Sequence, residues 1–171
     1  MEKNRILCWY TGNSAHSQMG EALFNKYGDK DFIAFSADTD PTIIHPYVVK
    51  VLEEVRIDTS EQFAKPLETY IGKLRFDYLI NVCSNAQELW PMFPGMEARI
   101  HLPFEDPAAF EGSHSEKTEV FREIRNHIKV RIKTWLIGLA RQASFLITYT
   151  AVKQRLFSIN TTFIFNPTIY R

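Results

Sequence analysis

Short apolar runs alternate along this chain with segments of helical spacing. Arg5–Tyr10 is a compact apolar run suited to a buried parallel strand. Ser17–Tyr27 places Met19, Ala22, Leu23 and Tyr27 on one helical face, and Gly28 can end that helix. Asp31–Ser36 is a second strand, and turn residues follow as far as Ile44. Pro46 suits the first turn of a helix through Val55, with Val48, Val49, Leu52 and Val55 inward. Glu61–Tyr70 has the composition of another short helix. Asp77–Val82 and Ala98–Leu102 read as third and fourth strands. A long helix then starts at Ser115 or Thr118, with Glu119, Val120, Ile124, Ile128, Ile132, Trp135 and Leu136 along its apolar stripe. Such alternation predicts an α/β domain with a parallel sheet and helices on both faces.

Between the first strand and first helix lies Tyr10-Thr11-Gly12-Asn13-Ser14-Ala15-His16-Ser17. A short loop entering a helix directs several backbone N–H groups at one point, where the helix dipole adds positive potential. A tetrahedral oxyanion suits that cradle, formed here by Thr11 through Ser17. Gly12 permits backbone geometry a side chain would obstruct. Asn13 is expected to brace the loop, and Ser17 to cap the helix.

Charge and composition narrow the classes. The chain has 171 residues and zero formal net charge, which argues against a general nucleic-acid binder. The zero conceals an asymmetry. Residues 1–123 hold all 20 acidic residues and 12 Lys or Arg, a net −8; residues 124–171 hold 8 Lys or Arg and no acid, a net +8. No signal-peptide pattern opens the chain, and the uncharged stretches 142–152 and 156–170 are shorter than a membrane span. The expectation is a cytoplasmic protein whose two cysteines, Cys8 and Cys83, are free thiols.

Several stretches together resemble the thioredoxin-coupled arsenate reductases, which share a fold with low-molecular-weight protein tyrosine phosphatases. They are Thr11-Gly12-Asn13-Ser14, Ser17-Gln18-Met19, His45-Pro46, Asp77-Tyr78, Pro91-Met92-Phe93-Pro94-Gly95 and Pro103-Phe104-Glu105-Asp106-Pro107-Ala108. The resemblance implies a three-layer sandwich: a four-stranded parallel sheet of order 2-1-3-4, helices on both faces, and a phosphatase-type P-loop after the first strand. It covers residues 1–136 as one domain, with 137–171 as an apolar, basic extension. For that extension the order of expectation is intramolecular packing, then homodimer contact, then membrane surface.

The resemblance also locates functional positions. The family's nucleophilic cysteine falls at Tyr10, and its anion-gripping arginine at His16. Ala15 stands where reductases often carry a further cysteine. Of the two cysteines that relay a disulfide, the first matches Cys83 and the second falls at Trp90. Without that pair, thioredoxin is not expected as a partner. Asp106 matches the general acid of the phosphatase branch. Asn13, Glu21 and Ser36 resemble positions that hold potassium in some reductases, and Lys65 takes the fourth position, where its ammonium can replace the ion. The sequence therefore leads to a catalytically silent member that retains oxyanion binding and uses no cofactor or metal. The competing reading is an active reductase or phosphatase rearranged around Cys83, His16 and Asp106.

Overall fold

The computed structural model describes residues 2–28, 30–82, 96 and 98–162, with Thr11 and 143–162 described in backbone only. Four strands, β1 (Asn4–Trp9), β2 (Phe32–Ala37), β3 (Tyr78–Asn81) and β4 (Ala98–His101), form one sheet of order β2-β1-β3-β4. All three pairings are parallel, with Cys8 opposite Ser36, Leu7 opposite Leu79 and Leu79 opposite Arg99. The expected fold and strand order are observed. The helices are α1 (His16–Tyr27), α2 (Pro46–Glu53) and α3 (His114–Thr162).

Side-chain alternation along β1 separates two cores. Leu7 and Trp9 join Ala37, Leu67, Tyr70, Phe76 and Leu79. Cys8 points instead toward α1, where a Cβ on Gly20 would lie 3.1 Å from its sulfur. Gly20 thus lets helix and strand approach closely. Cys8 is fully buried, and burial pushes its thiol pKa well up, as an inert core residue requires.

Several boundaries differ from the sequence reading. α2 ends at Glu53, so Val55 lies beyond it and Val51 joins Val48 and Leu52 in the core. The segment from Glu61 is not a helix; only Leu67–Thr69 makes a 3-10 turn. Asp38 and Pro66 instead form a parallel bridge, with Asp38 N–H donating to the Lys65 carbonyl at 3.1 Å and Leu67 N–H to Asp38 at 2.8 Å. Chain extended alongside the end of β2 cannot also coil. α3 begins before Ser115: Ser113 and Glu116 form a capping box, with Ser113 N–H on Glu116 Oε2 at 2.8 Å and Glu116 N–H on Ser113 Oγ at 3.3 Å.

The core face of α3 includes Thr118, Phe121, Ile124, Arg125, Ile128 and Ile132. Arg125 is buried because its guanidinium donates to the Val51 carbonyl at 2.6 Å and to Glu54 at 3.1 Å. The chain divides into two units, Met1–Lys133 and Thr134–Arg171. In the second, helix continues to Thr162. The apolar tail positions Phe163, Ile164 and Phe165 lie outside the described residues.

Candidate active site

The loop after β1 sits at the carboxyl edge of the parallel sheet, where open α/β folds place their ligand sites. Thr11–Asn13 forms a 3-10 turn in which Gly12 has φ +78° and Asn13 φ +45°. Gly12 is glycine because this is left-handed backbone. Asn tolerates it better than most residues, and here the conformation is held from several sides. Asn13 Oδ1 accepts from Lys65 N–H at 2.8 Å and from Gln18 Nε2 at 2.9 Å. Asn13 Nδ2 donates to Ser17 Oγ at 3.0 Å. Asn13 thereby ties the loop to Lys65, Gln18 and Ser17.

Ser17 does not cap α1. The helix begins one residue earlier, so the N-cap position falls on Ala15, which has no side-chain cap bond. The Ser17 hydroxyl faces Asn13 instead. Outside the loop, Thr42 N–H donates to the Gly12 carbonyl at 2.9 Å and His45 N–H to the Ser14 carbonyl at 3.1 Å. Gly12 N–H donates to Asp38 Oδ2 at 2.5 Å. The contacts of Asp38, Thr42 and His45 were not readable from sequence, since each depends on how the β2–α2 connection folds over the loop.

His16 is fully buried, with Nε2 2.8 Å from the Glu105 carbonyl oxygen. Nδ1 meets no hydrogen-bond partner among the described residues. Burial lowers the His16 pKa, against weaker upward pulls from the Glu105 carbonyl and the Asp106 charge. The imidazole is therefore the neutral form near pH 7. The Tyr10 ring packs on it at 4.5 Å between centroids, and Phe104 stacks at 6.2 Å.

Asp106 is exposed and caps the short turn Pro107–Ala109 by accepting from Ala108 N–H at 2.9 Å. The neighbouring Glu105 carbonyl meets His16, which brings the loop carrying Asp106 to the end of the cradle. Cys83 and Trp90, with the whole segment 83–95, lie outside the described residues.

Beneath the loop Lys65 is buried and its Nζ donates to Glu21 Oε2 at 3.0 Å and to the Phe63 carbonyl at 2.9 Å. The Ser36 hydroxyl donates to the same Glu21 oxygen. These residues do not fit a potassium ion, because an ammonium already occupies the carboxylate an ion would need. Among the described residues no cluster of His, Cys, Asp or Glu suits a metal, and no helix is long and apolar enough to cross a membrane.

Residues 5–145 match the low molecular weight phosphotyrosine protein phosphatase family. An arsenate reductase from Halalkalibacterium halodurans is 36% identical over 135 residues, 79% of this chain and 96% of the relative. A solved arsenate reductase in the phosphate binding state superposes with a TM-score of 0.64 at 28% identity, covering 81% of this chain and 98% of that one. A thioredoxin-dependent arsenate reductase from Corynebacterium glutamicum gives 0.55 at 25% identity, covering 80% of this chain and 63% of that one.

Proposed function

The chain belongs to the low molecular weight phosphotyrosine protein phosphatase family, and from that premise we propose that it is a non-catalytic relative of the arsenate reductases that keeps the loop as an oxyanion cradle. The state of His16 carries the reading. A guanidinium grips two anion oxygens with a permanent charge; a buried imidazole whose Nε2 is engaged by the Glu105 carbonyl offers neither. Tyr10 stands where the family nucleophile is expected. A phenol has a reference pKa near 10 and lacks the intrinsic reactivity of a thiolate. Its ring packs on His16.

What remains supports binding. The loop keeps its left-handed Gly12–Asn13 turn and the start of α1. Lys65 takes the supporting role of a cation through Glu21. In this proposal a small oxyacid or oxyanion is the ligand, in the cytoplasm, and thioredoxin is not a partner because Trp90 replaces the far relay cysteine. The extension 137–171 serves packing or contact with a second copy.

The test is arsenate reduction coupled to thioredoxin, with Cys83→Ser as control and calorimetric titration of phosphate alongside. The expected result is no turnover in either protein and measurable phosphate binding. A second reading, an enzyme rearranged around Cys83, His16 and Asp106, draws on the proximity of Asp106 to His16. Turnover that disappears in Cys83→Ser establishes it and overturns the first.

A further inference from the structure

His16 presents an acceptor where the relatives' motif is expected to present donors. Its Nε2 lies against the Glu105 carbonyl oxygen, which can only accept, so the ring hydrogen resides on Nε2. Nδ1 is then a bare lone pair. It is buried and has no donor among the described residues. His16 is the first residue of α1, so its imidazole is carried by the helix's opening turn, at the end of the loop. Buried acceptors are almost always satisfied in folded proteins, and one left bare at a helix start asks for a donor.

A second contact tilts the cradle the same way. The Gly12 N–H, one of the loop's donors, is engaged by the Asp38 carboxyl group. That acceptor competes with an anion for the loop's amides. The Asn13 N–H is also engaged, by the Tyr10 carbonyl at 3.1 Å, so a ligand made only of acceptor oxygens would face two fewer donors besides the acceptors His16 Nδ1 and Asp38.

We propose that the loop prefers an oxyacid that carries a hydroxyl group, with that O–H donated to His16 Nδ1, over a fully deprotonated oxyanion. The proposal rests on the cradle reading above and names its ligand class. The remaining oxygens of the ligand accept from the amides at the start of α1, where the dipole favours them. The Tyr10 and Phe104 rings pack against the imidazole. No proton moves and no bond is made; this is recognition by donor and acceptor pattern.

Sulfate, hydrogen phosphate and arsenous acid separate the cases at pH 7.5 and fixed ionic strength. Sulfate has no O–H, hydrogen phosphate has both kinds of oxygen, and arsenous acid is neutral and wholly hydroxylated. Calorimetry on the full chain in a Cys83→Ser background removes that thiol's reaction with arsenic. Phosphate and arsenous acid are expected to bind at least about tenfold more tightly than sulfate, because a site built for an O–H rejects the analogue lacking it. The His16 Nδ1 nitrogen resonance is expected to move on phosphate binding, and His16→Arg should raise sulfate affinity. Sulfate binding as tightly as phosphate, or an unmoved Nδ1 resonance in a saturated complex, overturns the inference and leaves the cradle standing. Binding of none of the three overturns the cradle as well.

Discussion

Lys65 Nζ lies 3.0 Å from the Glu21 carboxylate beneath the loop, with the two side chains only 7% and 15% exposed. Such a pair is costly to half-remove, because the remaining charge stays buried. Lys65→Met should destabilise the fold by about 3–5 kcal/mol, measured by urea denaturation, and Lys65→Met/Glu21→Gln should recover much of it. Because the ammonium occupies the carboxylate, the unmodified chain should melt at the same temperature in KCl and in equal NaCl. Stabilisation specific to KCl would show that a potassium site persists.

Asn13 joins the loop to Lys65, Gln18 and Ser17 through one buried amide. Asn13→Ala removes the acceptor for two buried donors and should lower stability by about 2–3 kcal/mol. Asn13→Gly loses the same bonds but accepts the positive φ. It should therefore be roughly 1 kcal/mol less damaging than Ala in the same denaturation experiment. Equal losses would assign the whole effect to the hydrogen bonds.

His16 and His45 both have pKa values lowered chiefly by burial. For such groups the unfolded chain binds more protons once pH falls below the unfolded value of roughly 6.5. Stability is therefore full above that pH and declines as pH drops through it toward the folded values. The melting temperature should fall between pH 7.5 and 5.5, and His16→Gln should shrink the fall. A variant with an undiminished acid loss would place the effect elsewhere.

β1 and β3 were legible as short apolar runs between turn signals, because central parallel strands are hidden on both faces; the edge strands β2 and β4 expose Ile33, Arg99 and His101. The loop was legible from Gly12 and its position before a helix. Boundaries were less so. Ser113 rather than Ser115 starts α3 because it pairs with Glu116 three residues on; Ser115 and Thr118 are followed at that spacing by Thr118 and Phe121, so the sequence carried this signal and the reading missed it. Phe121 was missed on the core face of α3, where it stacks on His45 at 4.6 Å between ring centroids. The contact on which the proposed function rests, His16 on the Glu105 carbonyl, joins residues 89 positions apart through a backbone atom. Side-chain identity at either end carries no trace of it. Lys65 was marked only through the resemblance, since a lone lysine in a loop otherwise reads as a surface charge.

Aryl-phosphate hydrolysis by the unmodified chain and by Tyr10→Cys/His16→Arg tests the central claim most directly. If the scaffold is intact and only its chemistry is missing, the unmodified chain stays at the buffer rate and the double variant turns over. Hydrolysis by the unmodified chain, abolished in Cys83→Ser, would contradict the account.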